Sequence, residues 1–218
     1  MESATEPTPD RQAALTSAIA GERRELADLF DTLRAEDWQA PSLCTGWSVR
    51  EVVAHMSMGF RLSLPATLGE LLKARGSLHR MTDRVARRDA AAHSTAELSA
   101  FLRDHAHHPW TPPVGGLPAA LGHDVVHGLD VTTALGLGRR VPEDRLRILL
   151  DEIRPRGLRF FGVDLAGTRL CAEDTGWSYG AGPTPVYGAA QDLLLLAFGR
   201  RLPPGRLRGE AAGRFTGR

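Results

Sequence analysis

The stretch HDVVH, residues 123 to 127, holds the residue types and spacing most suggestive of chemistry in this sequence. Four residues make about one helical turn, so His123 and His127 would lie on one face of a helix and could share a metal ion. Asp130 follows one turn later among apolar or small neighbours, which predicts a buried helix with an inward polar stripe. Three interpretations stay open: a metal site supported by Asp130, a hydrogen-bonded pair in the core, or a helix whose histidine face lies toward a solvent cleft.

A metal site of this kind needs a third ligand, and His55 is the natural candidate. It lies in the middle of a second predicted helix, at the edge of that helix's apolar stripe. A metalloprotease is not favoured, because the HExxH signature places glutamate after the first histidine, where this sequence has Asp124. Neither a downstream zinc ligand nor a preceding sheet for a peptide substrate is evident.

The segments around these histidines have helical patterns. Ser48 with Glu51, and Ser94 with Glu97, form capping boxes that predict the starts of two helices. Pro65 is expected to break or restart the first of these. The remaining helices are predicted over residues 11–34, 76–92 and 118–136, and in the segment VPEDRLRILLDEIR, where Pro142 occupies the first turn.

The pattern changes after about residue 155. LRFFGVDL, TRLCAED and WSYGAG are short, are separated by glycine or turn residues and are predicted as strands or a meander. AAQDLLLLAFGRR is predicted as a short apolar helix. The predicted fold class is therefore α+β. The predicted domains are a disordered lead-in (1–9), a helical metal-binding domain (10–154) and a small α+β domain (155–218).

Composition excludes several classes of function. The formal net charge of +1 does not favour nucleic acid as a partner, and no apolar run approaches the ~20 residues of a membrane span. The N-terminus lacks the features of a signal peptide, so a cytoplasmic location is expected. Cys44 and Cys171 lie outside any CxxC pattern, which favours free thiols and leaves a disulfide or a nucleophile open.

Three segments, in order, carry a family resemblance. EDWQAPSLCTGWSVREVVAHM, DVVHGLDVTTALGLGRRVPEDRL and RLCAEDTGWSYGAGPTPVYGAAQDLLLLAFGRR resemble the actinobacterial maleylpyruvate isomerase-like, mycothiol-dependent family. The resemblance covers about residues 10 to 205. It implies a DinB-like four-helix bundle in the N-terminal part, and a structural role for Cys44 in its loop.

The resemblance also implies a metal site formed by His55, His123 and His127. Many relatives carry an acid at the position of His123, so three neutral imidazoles are a departure, which Asp124 and Asp130 could partly offset as carboxylates near the ligands. Such a set favours zinc, with nickel or iron as alternatives. Tyr187 stands where many relatives carry arginine, which disfavours a dicarboxylate substrate.

The implied activity is that of a mycothiol-dependent thiol transferase or isomerase acting on a small electrophilic metabolite. A metal-bound thiolate of mycothiol would be the nucleophile, because coordination deprotonates a thiol at neutral pH. Two alternatives stay open, a metal-dependent hydrolase with an activated water and a non-catalytic metal-binding bundle protein. The expected state is a monomer or homodimer, without nucleic-acid or membrane partners.

Overall fold

The computed structural model describes residues 9–217, which divide into two compact units. The helical unit comprises the described residues up to Ala40 together with Ser48–His127, and the sheet unit comprises Pro41–Trp47 and the described residues from Gly128 onward. The domain boundary expected at residue 154 stays a prediction. The predicted disordered lead-in lies outside the described residues except for Pro9, at which the first helix begins.

Ten α-helices occur in the described part of the chain. They are α1 (Pro9–Asp31), α2 (Ala35–Gln39), α3 (Val49–Arg61), α4 (Leu64–Lys73), α5 (Leu78–Ala92), α6 (Thr95–Asp104), α7 (Gly116–Ala134), α8 (Glu143–Asp151), α9 (Pro155–Phe160) and α10 (Ala190–Ala197). None of them is long and apolar enough to cross a membrane.

The two capping boxes are confirmed and fix the starts of α3 and α6. The Ser48 hydroxyl accepts from the backbone N–H of Glu51, whose carboxylate accepts in return from the backbone N–H of Ser48. Ser94 and Glu97 make the same reciprocal bonds. Each box satisfies backbone donors that a helix start otherwise leaves exposed, so these two starts are determined locally.

The core of the helical unit forms where amphipathic helices bury their apolar faces. α3 packs against α5 and α6, α1 packs against α6, and α4 packs against α5. The predicted inward stripe of α3 is confirmed, since Val49, Val52, Val53 and Met56 are fully buried. This packing holds α3, which carries His55, in the middle of the unit.

The sheet unit contains a four-stranded sheet in the order β2-β1-β3-β4. The strands are β1 (Thr168–Ala172), β2 (Ser178–Tyr179), β3 (Thr184–Gly188) and β4 (Leu207–Arg208), and a 3-10 helix follows at Glu210–Phe215. β1 pairs with β3 in parallel, while β1 with β2 and β3 with β4 are antiparallel. α10 packs on β1, β3 and α8, and its leucines are buried. The predicted α+β fold class is confirmed.

One predicted strand is wrong. LRFFGVDL begins inside α9 and forms no strand. Its aromatic and β-branched residues favour extended backbone, but Pro155 occupies the first turn of α9. A proline there has a backbone angle already suited to a helix and no N–H that needs a partner, so the segment begins as a helix.

Candidate metal centre

The helical unit brings the three predicted histidines together. His55 comes from α3, and His123 and His127 come from α7. One nitrogen from each ring lies within 4.8 Å of those of the other two, and the ring centroids are 4.8 to 5.0 Å apart. The helix spacing of His123 and His127 and the middle position of His55 on α3 produce this convergence.

The geometry of the cluster fits a divalent metal. Nε2 of His55 and Nε2 of His123 are 3.2 Å apart. Two nitrogens bound at about 2.0–2.1 Å to a tetrahedral ion would lie about 3.3 Å from each other. Two imidazole nitrogens this close must share either a proton or a cation, because two lone pairs would repel each other. The donor set of three imidazoles suits zinc, nickel or iron.

Asp124 determines the orientation of the His123 ring. Its Oδ1 lies 2.9 Å from Nδ1 of His123, and its side chain is fully buried. A carboxylate can only accept, so Nδ1 carries the proton and donates it, which leaves the lone pair on Nε2. That nitrogen faces His55, so Asp124 presents His123 in the form that a metal requires.

Arg23 of α1 holds the other oxygen of Asp124. Its Nε donates to Oδ2 over 2.8 Å, and both side chains are fully buried. Sequence reasoning did not single out Arg23. A signal existed, because Arg23 follows Ile19 and precedes Leu26 and Phe30 at helical spacing, which places a charge on an apolar face.

The aromatic side chain of Trp110 borders the histidine cluster within the helical unit. The ring centroid of Trp110 lies 5.3 Å from that of His123 at an interplanar angle of 69°. A Cβ added to Gly59 of α3 would lie 2.1 Å from the Trp110 ring, so only glycine leaves room for it. Sequence reasoning missed both residues, since their proximity depends on tertiary packing.

Asp130, predicted to support the metal ligands, makes its described contacts within the sheet unit. Both of its oxygens accept from Arg200 over 2.8 Å, and Oδ2 accepts from Sγ of Cys44 over 2.9 Å. Burial and the charge of Asp130 raise the pKa of the Cys44 thiol. Burial alone would lower the pKa of Arg200, but the hydrogen bond and charge of Asp130 raise it. The role of Asp130 toward the metal stays a prediction.

The other residues of interest from the sequence lie elsewhere. Cys44 and Cys171 are free thiols, as expected. Tyr187 lies on β3 and is 38% exposed. The other histidines do not join the cluster; for example, His93 and His105 follow the ends of α5 and α6.

Fold and cluster together define a protein with a helical unit that presents a candidate three-histidine metal centre, followed by a small α+β unit. Residues 19–132 match the family model of the mycothiol maleylpyruvate isomerase N-terminal domain. The chain belongs to this family.

A solved structure agrees with the fold. A crystal structure of a histidine-to-alanine mutant of the mycothiol-dependent maleylpyruvate isomerase is similar with a TM-score of 0.56 and 17% identity, covering 97% of each chain. A second crystal structure of that isomerase covers the same shares at 17% identity with a TM-score of 0.47. The first shows that the fold is shared over nearly the whole chain. Among curated proteins no match was found.

Proposed function

We propose that the protein is a divalent-metal-dependent, mycothiol-dependent thiol transferase or isomerase acting on a small electrophilic metabolite. The observation that carries this proposal is the convergence of His55, His123 and His127, whose ligand nitrogens lie within 4.8 Å of one another. Family membership supports the thiol cosubstrate, because the solved relatives are named as mycothiol-dependent enzymes.

The three histidines are proposed as the metal ligands, with Asp124 and Asp130 as supporting carboxylates. A bound divalent ion, zinc by preference or else nickel or iron, would supply a Lewis acid that favours the thiolate form of a thiol. Three protein ligands leave a coordination position open, as catalytic rather than structural sites do.

The chain's own residues prepare this site in two ways. Asp124 keeps the Nδ1 proton of His123 engaged, so Nε2 remains available to a ligand. Trp110 places an apolar surface beside the same ring, which limits water on that side. The His123 side chain itself is 13% exposed, so the cluster is accessible without being open to bulk solvent.

Metal content tests the ligands. We expect purified protein to bind one zinc ion per chain, measured by plasma emission spectroscopy after dialysis against buffered metal, and His123→Ala and His127→Ala to lose it. His79→Ala is the matched control, because His79 lies exposed on α5 outside the cluster, and it should bind normally. A wild-type protein without stoichiometric metal would contradict the proposal.

Thiol dependence tests the reaction class. Turnover of small electrophiles, with maleylpyruvate among them, should require mycothiol and should disappear in His127→Ala. Turnover that proceeds without any thiol would instead support a metal-dependent hydrolase with an activated water. A metal-loaded protein that turns over no electrophile with or without mycothiol would support a non-catalytic bundle protein.

A further inference from the structure

Arg23 is the largest fully buried side chain of the helical unit. Its guanidinium is a cation with five N–H donors and no acceptor. It lies over the ring of Phe60, with its Cζ 5.1 Å from the ring centroid. The hydrogen-bond partners of this buried cation indicate its role in the fold.

One arm of Arg23 reaches the metal cluster. Nε donates to Oδ2 of Asp124, whose Oδ1 accepts from Nδ1 of His123. The two carboxylate oxygens are thus divided between the guanidinium and the imidazole. Because Arg23 fixes the carboxylate plane, it also fixes the direction in which the His123 ring is held.

The other arm reaches the loop between α6 and α7. Nη1 donates to three backbone carbonyls, those of His105, Ala106 and His108, over 3.2, 3.3 and 2.9 Å. The backbone N–H of Trp110 then donates to Nδ1 of His108 over 3.1 Å, and the Trp110 ring borders His123. The guanidinium of Arg23 therefore holds the loop that carries Trp110, whose ring borders the histidine cluster.

Stability alone does not account for this arrangement. A buried ion pair must offset the loss of hydration of both charges, and apolar residues of similar volume are often as stable. Nη2 of Arg23 is buried and makes no hydrogen bond within the described residues, which adds to the cost. A buried charge that costs stability in this way indicates that Arg23 serves to fix the positions of its hydrogen-bond partners.

We propose that Arg23 is a positioning residue that orients His123 through Asp124 and places Trp110 beside the same ring. This inference rests on the proposed function, since it assumes that the three histidines bind a metal. It predicts that the affinity for metal depends on a residue of α1 that does not touch the ion.

Zinc affinity, measured by competition with a chromogenic chelator, tests the inference without any assay of turnover. Arg23→Lys keeps a positive charge, but its single nitrogen cannot occupy the places of both Nε at Asp124 and Nη1 at the loop carbonyls. Asp124→Asn keeps the shape but not the charge. We expect each to weaken zinc binding about 10–100-fold, the usual effect of losing a residue that orients a metal ligand. The absorption spectrum of bound Co²⁺ should also change, because it reports ligand geometry.

The matched control is Arg61→Lys, which alters another arginine–aspartate pair of the helical unit. Arg61 contacts Asp89 over 2.5 Å, and their side chains are 15% and 5% exposed. This variant should lose stability in thermal unfolding and yet keep wild-type zinc affinity and the wild-type Co²⁺ spectrum. A merely structural role for Arg23 would give the same pattern in Arg23→Lys.

The outcomes separate the two proposals. If wild-type protein binds zinc through its histidines while folded Arg23→Lys and Asp124→Asn bind it equally well, the positioning role is overturned and the proposed function stands. If wild-type protein binds none of zinc, nickel and iron, the proposed function itself fails. Should Arg23→Lys not fold, as judged by circular dichroism, Asp124→Asn decides the question alone.

Discussion

α7 carries two buried aspartates, and each is paired with one arginine from a distant part of the sequence. Asp124 meets Arg23 in the helical unit, and Asp130 meets Arg200 in the sheet unit. Each aspartate also accepts from a third side chain that could bind a metal, the imidazole of His123 in one case and the thiol of Cys44 in the other. The chemistry of the two sites nevertheless differs.

The difference lies in how each arginine uses its donors. Arg200 directs both Nε and Nη2 at Asp130 in a two-pronged pairing, and its Nη1 donates to the carbonyl of Phe198, two residues away in its own segment. Arg23 gives Asp124 a single hydrogen bond and gives Nη1 to backbone carbonyls. The first pairing anchors a residue, whereas the second connects a carboxylate to a loop.

The two aspartates also have different effects on the third side chain, which is His123 in the helical unit and Cys44 in the sheet unit. In the helical unit the aspartate leaves Nε2 of His123 free of its proton and facing His55. In the sheet unit burial and the aspartate charge raise the pKa of Cys44, so the thiol keeps its proton and is a poor nucleophile. One aspartate thus orients a proposed metal ligand, while the other holds a thiol in its unreactive form.

The largest effect on stability is expected from Arg200→Ala. It leaves the fully buried carboxylate of Asp130 without its ion-pair partner, which should lower the free energy of unfolding by about 3 kcal/mol. Urea unfolding followed by circular dichroism measures this. Arg147→Ala is the control, because Arg147 and Glu143 are 69% and 66% exposed, and a surface pair contributes about 0.5 kcal/mol. Equal effects of the two variants would show that the buried pair of Arg200 and Asp130 stabilises the fold no more than an exposed pair does, and Arg200 would not anchor Asp130.

Local patterns made part of this architecture predictable. The starts of α3 and α6 depend on capping boxes within four residues, and the pairing of His123 with His127 depends on one helical turn. His55 was placed by its position on a predicted helix and by family resemblance. Each of these features depends on a short segment of sequence or on a motif that resembles the family.

The partners of the two aspartates were not predictable in the same way. Arg23 lies 101 residues from Asp124, and Arg200 lies 70 residues from Asp130, so only the folded chain shows which arginine meets which carboxylate. The position of Arg23 on the apolar face of α1 indicates a buried arginine but does not identify its partner. Likewise, the space above Gly59 is defined by Trp110, which lies on a different segment.

A smaller effect is expected at the loop that Arg23 holds. Gly59→Ala would bring a methyl group 2.1 Å from the Trp110 ring, so the ring or α3 must shift, and overpacking of this kind costs about 1–3 kcal/mol. Gly69→Ala is the matched control, since Gly69 lies within α4 and an added Cβ meets nothing within 4 Å. The control should be neutral or slightly stabilising, because alanine favours a helix more than glycine does. Thermal unfolding of both variants, with zinc affinity measured in parallel, shows whether moving Trp110 also disturbs the proposed metal centre. Equal stability of both variants would contradict the tight packing.

The smallest expected effect concerns the thiol in the sheet unit. Because burial and the charge of Asp130 raise the pKa of Cys44, its thiolate forms only above the pH of about 8.5 at which a free cysteine titrates. The rate of Cys44 alkylation by iodoacetamide, measured by mass spectrometry, should therefore keep rising with pH where that of N-acetylcysteine has levelled off.

Asp130→Asn removes a negative charge beside the thiol, which lowers the pKa of Cys44 and should accelerate its alkylation at pH values near 8. The rate at Cys171, measured in the same samples, reports any general unfolding, so a rate increase confined to Cys44 is the result that supports the comparison. If Asp130→Asn slows alkylation or leaves it unchanged, Asp130 does not hold the thiol in its protonated form, and the contrast with the Asp124 site fails.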